Sequence, residues 1–324
     1  ISGAIVDATG NLTGEHGSFF DIRTGTDVIL NIKDVSIVDA AKTGSGSVVS
    51  NVSENGVVNI SDTILANNSS TEKGGAIYND NKGTVNITNT EFTGNKSNDV
   101  GGAIYNNANL TLTNVILNKG TGAVKNDLAQ GVDGKTIFEG GNKVLSGISG
   151  KGTIENKGYL ELNGSENYGF VGEFIQNSAN AVTKVVGNNF NSSVYFGGTS
   201  TITDGILWWM TTDQSGKLNM SGNSQLIIGD LDNNNNFTGE GEYKLKLANG
   251  DSIADSVLVA VDKKSVVAIS DADVTLNEND AWLGMVDLTQ NGKLTLKNLQ
   301  GNGTIYAVDG GILNLKSGDL YINN

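Results

Sequence analysis

The stretch Gly74-Gly75-Ala76-Ile77-Tyr78-Asn79 decides the fold, because the same six residues return as Gly101-Gly102-Ala103-Ile104-Tyr105-Asn106. A degenerate copy, Gly-Ser-Val-Val-Ser-Asn, occupies positions 46–51, so the three copies are almost evenly spaced along the chain. A fixed period of about 20 to 50 residues is typical of solenoids, in which each repeat stacks on the next. We therefore expect one repeat to form one coil.

A second marker runs in step with the first. It reads Asn-Ile-Lys-Asp at 31–34, Asn-Ile-Ser-Asp at 59–62, Asn-Ile-Thr-Asn at 86–89 and Thr-Leu-Thr-Asn at 111–114. Its fourth position is therefore Asp34, Asp62, Asn89 and Asn114, and stacked side chains there predict an amide ladder. Because neighbouring carboxylates repel, we predict that Asp34 and Asp62 accept backbone hydrogen bonds at turns.

Apolar residues alternate within each repeat, as in Val85 and Ile87, which indicates short half-buried strands. The predicted fold is all-β, a single-stranded right-handed parallel β-helix with about 25 residues per coil. Gly75, Ala76, Gly102 and Ala103 would permit tight corners, and Ile77 and Ile104 would point into the core. We expect Gly-Gly-Ala-Ile coils over residues 1–130 and a less regular β-helix with loop insertions over 131–324, in one continuous solenoid.

The composition excludes several classes of protein. Against 21 Lys and Arg stand 35 Asp and Glu, so the net charge is −14, which argues against binding to nucleic acid. The chain has no cysteine, so disulfides contribute nothing to its stability. No apolar run approaches the ~18 residues of a membrane-spanning helix.

Catalytic motifs are weak in this sequence. The one histidine, His16, lies in Glu-His-Gly, which favours a surface turn. Ser252, in Gly-Asp-Ser-Ile, resembles a hydrolase nucleophile, but no histidine follows it to act as the base. Residues 129–136 fit a relaxed phosphate-loop pattern, yet the residues after them do not start a helix. We predict no catalytic residue and no cofactor.

Acidic residues leave two alternatives open. Asp230 and Asp232 alternate as calcium ligands do, but the bidentate Glu and the usual glycine are missing, so a solvated loop is favoured and no metal site is predicted. Paired carboxylates about 5 to 9.5 Å apart across a groove would serve a glycosidase. A β-helical polysaccharide-active enzyme, a hydrolase or a lyase, is therefore the alternative function.

Trp208 and Trp209 are the predicted ligand-binding residues. Neighbours on a strand face opposite sides, so one of them should point outward. An outward Trp could stack on a sugar or on a partner protein. The alternative is that an inserted loop or a neighbouring coil covers both.

The Gly-Gly-Ala-Ile motifs, together with Phe92-Thr93-Gly94-Asn95 as a Phe-x-x-Asn match, resemble the repeats of the polymorphic outer membrane protein family. The later Gly-Thr-Ile pattern resembles the passenger region of bacterial autotransporter adhesins. The chain lacks the cysteines of many chlamydial members and has no recognisable barrel strands at its end.

This resemblance implies a surface-exposed, non-enzymatic virulence passenger, held at the outer membrane by a C-terminal barrel outside this sequence. It would bind a protein or glycan of a host or neighbouring cell, or a second copy of itself, and no nucleic acid. A structural spacer that holds another domain away from the membrane is the third hypothesis.

Overall fold

The computed structural model describes residues 5–7, 19–25, 27–121, 126–163, 169–186, 198–211, 216–248, 250–277, 281–289, 291–297, 303–307 and 311–317. All of the regular structure in these ranges is β-strand, which confirms the predicted all-β class. Contacts divide the chain into two compact units, residues 1–174 and 175–324. The predicted change in regularity between residues 130 and 131 stays a prediction.

The strands of unit 1 are short, mostly of two to five residues. They are β1 (Ile5–Asp7), β2 (Phe20–Ile22), β3 (Ile29–Lys33), β4 (Ser36–Val38), β5 (Ala41–Lys42), β6 (Val49–Asn51), β7 (Val57–Ser61), β8 (Ile64–Ala66), β9 (Ser69–Ser70), β10 (Ile77–Asn79), β11 (Thr84–Thr88), β12 (Glu91–Thr93), β13 (Lys96–Ser97), β14 (Ile104–Asn106), β15 (Asn109–Thr113), β16 (Ile116–Leu117), β17 (Leu128–Gln130), β18 (Lys135–Glu139), β19 (Gly141–Val144), β20 (Ile148–Gly150), β21 (Thr153–Asn156), β22 (Tyr159–Leu162) and β23 (Glu173–Gln176), whose last residues belong to unit 2.

Unit 1 is a parallel β-helix. Its sheets are A (β3-β7-β11-β15-β18-β21), B (β1-β4-β8-β12-β16-β19-β22), C (β2-β6-β10-β14-β17-β20) and D (β5-β9-β13). Equivalent residues of successive coils pair directly, so that Val85 lies between Val58 and Leu110. One coil therefore contributes one strand to each of sheets C, A, B and D in turn. Side chains at the same repeat position of successive coils lie one above another and form a column.

The core of unit 1 consists of such columns. Ile77 and Ile104 pair with each other in sheet C, and both are fully buried. In sheet B the column contains Leu65, Phe92 and Leu117, all with no exposed surface. Burying a side chain of this size stabilises a fold by about 1.5–3 kcal/mol, so the alternating apolar pattern is what holds the coils together.

The Gly-Gly-Ala segment has a separate physical role at each position. Gly74 and Gly101 have φ of 66° and 71°, in the left-handed region that glycine adopts most readily. Gly75 leaves no room for a side chain, because a Cβ there would collide with the carbonyl oxygen of Gly102 in the next coil. Ala76 is fully buried. The segment therefore lies at a tight corner between closely stacked coils.

The strands of unit 2 are similar in length. They are β24 (Val182–Val186), β25 (Thr199–Ile202), β26 (Ile206–Met210), β27 (Lys217–Met220), β28 (Gln225–Ile228), β29 (Lys244–Leu247), β30 (Ser252–Ile253), β31 (Leu258–Val261), β32 (Val266–Ser270), β33 (Asp273–Asn277), β34 (Ala281–Trp282), β35 (Met285–Thr289), β36 (Lys293–Lys297), β37 (Thr304–Ala307) and β38 (Ile312–Ser317). They form three parallel sheets, E (β24-β26-β28-β31-β34), F (β25-β27-β30-β33-β36-β38) and G (β29-β32-β35-β37).

The coils are not all as long as predicted. In the repeat region Thr84 pairs with Asn109, a separation that matches the predicted period. Lys135 pairs with Thr153, and Asp273 pairs with Lys293, so these later coils take up fewer residues. The described sheet D ends at β13. The later coils are shorter because they omit the corner that sheet D and the Gly-Gly-Ala segment build.

Candidate functional site: ladders and outward faces

Two asparagine ladders run inside unit 1. Each amide Nδ2 donates to the side-chain oxygen of the next coil, at 2.9 to 3.1 Å. Inner ladder 1 is Asn51, Asn79, Asn106 and Gln130, and inner ladder 2 is Asn68, Asn95 and Asn126. All of these side chains are buried. The Asn that ends the Gly-Gly-Ala-Ile-Tyr-Asn motif and the Asn of the Phe-x-x-Asn motif are therefore structural residues.

The buried amides also bond to the backbone of their neighbours. Asn79 Nδ2 donates to the carbonyl oxygens of Gly83 at 3.2 Å and Asn109 at 2.9 Å. Asn95 Nδ2 donates to the Leu65 carbonyl oxygen at 2.8 Å, and its Oδ1 accepts the Asn68 backbone N–H at 3.0 Å. A buried polar group is costly when it has no hydrogen-bond partner. These bonds therefore fix the register between successive coils.

Both inner ladders stop at an apolar residue on the N-terminal side. Ile22 pairs with Asn51 in sheet C, and it offers no donor. Asn51 Oδ1 is consequently buried without a hydrogen-bond partner among the described residues. Inner ladder 2 ends more favourably, because the Ala40 backbone N–H donates to Asn68 Oδ1 at 3.0 Å.

The predicted ladder of Asp34, Asp62, Asn89 and Asn114 lies on the surface, at the corner between sheets A and B. All four residues have a left-handed φ, between 47° and 55°, which Asn and Asp tolerate better than most residues. Asn89 Nδ2 donates to Asp62 Oδ1 at 3.0 Å, and Asn114 Nδ2 donates to Asn89 Oδ1 at 3.1 Å. The amide ladder is thus present among the last three.

The predicted backbone bonds to Asp34 and Asp62 are wrong. Asp62 accepts the side-chain amide of Asn89, and Asp34 lies 3.9 Å from the ammonium of Lys33. In this outer ladder each donor points toward the N-terminal coil, so its N-terminal member needs only acceptors. A carboxylate meets that need, which explains Asp at position 62.

Two stacked tyrosines stand on the outer side of sheet C. The rings of Tyr78 and Tyr105 are 5.4 Å apart with an interplanar angle of 10°, and the Lys73 ammonium lies 4.6 Å from the Tyr105 ring centroid. Burial and a 2.6 Å hydrogen bond to Asp80 raise the pKa of the Tyr78 hydroxyl. Burial alone would raise the pKa of Asp80, but its hydrogen bonds hold that pKa below the ordinary value. The cluster is a closed network within two neighbouring coils.

The two tryptophans of β26 face opposite sides, as predicted for a strand. Trp209 is 1% exposed and donates its Nε1–H to the Lys244 carbonyl oxygen at 3.2 Å. The prediction that Trp209 binds a ligand is therefore wrong, because the core encloses it. Trp208 points outward and is half-buried. The ammonium of Lys184 lies 4.0 Å from its ring centroid, and its Nε1–H donates to the Gly229 carbonyl oxygen at 2.8 Å.

A loop of residues 229–243 follows β28 and includes the polar run around Asp232. An antiparallel bridge joins Leu231 to Phe237. Asp232 Oδ1 accepts the backbone N–H groups of Asn234 and Asn236 at 2.8 and 2.9 Å, and these bonds lower the pKa of the carboxyl. The carboxylate thus orders its own loop. In the described part of the chain, no three His, Cys, Asp or Glu side chains come together as a metal-binding group.

The catalytic motifs considered in the sequence occupy strands and turns of the β-helix. The Ser252 hydroxyl donates to Asn219 Oδ1 at 3.1 Å. Residues 129–136 run from β17 through a turn into β18, so no helix follows them. Asp251 is buried and accepts the backbone N–H groups of Leu218 and Ala248. Burial raises the pKa of this carboxyl, which faces the core. His16 lies outside the described residues.

Comparison with known protein families identifies two segments. The family model of the Chlamydia polymorphic membrane protein (Chlamydia_PMP) repeat matches residues 62–80 and 89–107. These two segments are similar to that repeat, and we call them the PMP repeats. Each PMP repeat runs from the left-handed corner before sheet B to the end of the strand in sheet C, and the match omits residues 81–88, which contain β11 of sheet A. The predicted resemblance is confirmed for these residues.

The two matched segments together cover 38 of the 324 residues. No curated protein and no solved structure matches the chain significantly. The described residues include no helix of the length and apolarity that a membrane span requires.

Sequence reasoning missed the outward face of sheet E. Here Val182, Ile206, Gln225 and Leu258 pair in one row across β24, β26, β28 and β31. Their neighbours in the strands point into the core. Only the register brings these four side chains together, because in the sequence other strands and turns separate each of them from the next.

Proposed function

We propose that this chain is a non-catalytic β-helical passenger that mediates adhesion to a protein or glycan on a host or neighbouring cell. The observation that carries the proposal is the pair of PMP repeats. Their characteristic side chains are used in the core and in the ladders, as Ile77 and Asn79 illustrate. The outward faces of the sheets are therefore the surfaces available for binding a partner.

The chemistry of the described residues supports a binding role over the polysaccharide-active alternative. A glycosidase acid needs a raised pKa and access to substrate. Asp251 has the raised pKa, but it is 4% exposed and its oxygens hold backbone N–H groups. Asp80, on the outer side of sheet C, has a lowered pKa.

Trp208 is our proposed contact for a glycan or protein partner. It is half-buried, and its indole N–H is already bonded to Gly229. A large aromatic side chain that is partly exposed and already ordered loses little entropy on binding. Lys184 beside the ring adds a positive charge in a chain of net charge −14.

The test is binding of the chain to whole cells and to a glycan array, with release of reducing ends assayed on every glycan bound. The key variant is Trp208→Ala. Its matched control is Tyr306→Ala, which removes an aromatic side chain that is 58% exposed on sheet G. We expect binding without release of reducing ends, and at least about tenfold weaker binding for Trp208→Ala alone.

Each result bears on a different part of the proposal. Release of reducing ends would overturn the non-catalytic role and favour the polysaccharide-active enzyme. Absence of binding to cells and glycans would contradict adhesion. Equal binding by Trp208→Ala and Tyr306→Ala would remove Trp208 from the contact while leaving adhesion standing.

A further inference from the structure

The stacked tyrosines of sheet C occupy the same repeat position of two successive coils. Tyr78 of β10 pairs with Tyr105 of β14 in the parallel ladder, so their backbones lie one strand spacing, ~4.8 Å, apart. Their ring centroids are 5.4 Å apart, with an interplanar angle of 10°. Among the described tyrosines, these are the two whose rings stack. The β-helix therefore holds two phenols in contact on neighbouring coils of one chain.

Two phenols held in this way are positioned for oxidative coupling. A one-electron oxidant removes an electron and a proton from each phenol. The two phenoxyl radicals then join through the ring carbons next to their hydroxyl groups, and the product is dityrosine. Radicals on separate molecules have to meet by diffusion, whereas radicals in the stack are already neighbours, which corresponds to a high effective concentration.

Asp80 supplies the proton acceptor for the first oxidation. Its Oδ2 accepts the Tyr78 hydroxyl at 2.6 Å. The Asn81 backbone N–H and Asn107 Nδ2 donate to its Oδ1 at 2.7 and 2.9 Å, so the carboxylate is held in place. Burial and the hydrogen bond to Asp80 raise the pKa of the Tyr78 hydroxyl, so this phenol keeps its proton at neutral pH and has to release it when it is oxidised. A base already in hydrogen-bond contact favours that release.

The two tyrosines differ in how easily an oxidant reaches them. Tyr78 is half-buried, and Tyr105 is 8% exposed. The Lys73 ammonium lies 4.6 Å from the Tyr105 ring centroid, and its positive charge makes the loss of an electron from that ring harder. Tyr78 is therefore oxidised first. Tyr105 passes an electron to the Tyr78 radical across the stack, and a second oxidation of Tyr78 gives the radical pair.

We propose that Tyr78 and Tyr105 form a modification site, at which a haem peroxidase and hydrogen peroxide link two successive coils as dityrosine. One C–C bond forms between the ring carbons, and the hydrogens of those carbons move to the oxygens as the rings regain their aromatic form. The net loss is two electrons and two protons, of which one proton leaves through Asp80 and the other goes to solvent. Hydrogen peroxide takes up both electrons and both protons and becomes two molecules of water.

The link is a covalent staple in a chain that has no cysteine. A cross-link that closes a loop restricts the unfolded chain and thereby stabilises the folded one. Here the loop is one complete coil, so the staple resists separation of that coil from the next. This inference goes beyond the proposed adhesive function and does not depend on it, since no binding partner takes part.

The test treats the full chain with a haem peroxidase and hydrogen peroxide, then denatures it and digests it with trypsin, which cleaves after lysine. Tyr78 then lies in the peptide of residues 74–82, and Tyr105 lies in the peptide of residues 97–119. We expect the two peptides to be joined, with their summed mass less two hydrogen atoms and with the fluorescence of dityrosine. The yield should not depend on protein concentration, because the link forms within one chain.

Four variants assign the link and the proton acceptor. Tyr105→Phe keeps the ring without its hydroxyl and should abolish the joined peptides, whereas Tyr306→Phe, at an exposed tyrosine of sheet G, should leave them unchanged. Asp80→Asn should slow the linkage about tenfold or more. Its control is Glu161→Gln, which removes the carboxylate that accepts the Tyr159 hydroxyl at 3.2 Å and should leave the rate unchanged.

The inference is overturned if no joined peptides form, if dityrosine appears only between separate chains, or if Tyr105→Phe yields as much of it as the unaltered chain. Equal rates for Asp80→Asn and Glu161→Gln would remove Asp80 as the proton acceptor. Oxidation should also raise the guanidinium midpoint of the unaltered chain by about 0.5 M and leave that of Tyr105→Phe unchanged. Equal shifts in the two chains would contradict the staple.

Discussion

Replacing Asn79 by Asp examines whether the inner ladders stabilise the fold. The Asn79 side chain is fully buried, and its Nδ2 donates to Asn106 Oδ1 at 2.9 Å and to the carbonyl oxygens of Asn109 and Gly83 at 2.9 and 3.2 Å. An ionised Asp has no proton for any of these three oxygens. Each lost buried bond costs about 1–3 kcal/mol, and the buried charge adds to it. We expect the free energy of unfolding to fall by about 4 kcal/mol at pH 7.

The loss should depend on pH. Protonation of the new carboxyl restores one donor, so we expect a loss of only about 2 kcal/mol at pH 3. The difference of ~2 kcal/mol corresponds to a folded-state pKa about 1.5 above the ordinary value near 3.9. Because the folded pKa is raised, this contribution is present below pH ~3.9 and is lost as the pH rises through the folded pKa.

Guanidinium unfolding followed by circular dichroism, at pH 3 and pH 7, measures both values. The matched control is Asn98→Asp, which introduces the same charge at an exposed residue of the same region. Among the described residues the Asn98 side chain has no hydrogen-bond partner, so this variant should stay within about 0.5 kcal/mol of the unaltered chain. A loss for Asn79→Asp as small as that of Asn98→Asp, or one independent of pH, would falsify the ladder argument.

Three further outcomes follow from the described contacts. Gly102→Ala should lower the free energy of unfolding by about 1–3 kcal/mol, because its Cβ would meet the backbone of the next coil, whereas Gly169→Ala, with open space around it, should change little; guanidinium unfolding compares the two. Burial raises the pKa of Asp251, so its contribution to stability is present below pH ~3.9 and is lost as the pH rises through the folded pKa; an unfolding series from pH 3 to 7 should show this, and a flat series would contradict it. Burial and the neighbouring Glu161 raise the pKa of Tyr159 to about 12; an ultraviolet titration should show late ionisation, and Glu161→Gln should bring it earlier.

The sequence predicts the repeat region well, because each repeat position meets its own equivalent in the next coil. Two copies of one hexapeptide suffice to place Ile77 against Ile104 and Asn79 against Asn106. The same reasoning fails for coil length after β18, where the coils become shorter and no exact copy of the hexapeptide marks the change.

The candidate surface is harder to predict for a physical reason. Alternation shows that one of Trp208 and Trp209 points outward, but only the register with β24 and β28 shows which one and what lies beside it. The prediction for the carboxylates of Asp34 and Asp62 fails in a similar way. Asp62 accepts the side-chain amide of Asn89, its neighbour along the stack, whereas Asp34 lies beside the ammonium of Lys33, the residue before it.

The inner ladders have a consequence for how such chains change in length. Every interior member presents an oxygen to the coil before it and an N–H₂ to the coil after it, as Asn79 does between Asn51 and Asn106. A duplicated coil would join this head-to-tail series and leave no additional amide unpaired. Gene duplication or deletion can therefore lengthen or shorten the β-helix by one whole coil at a time.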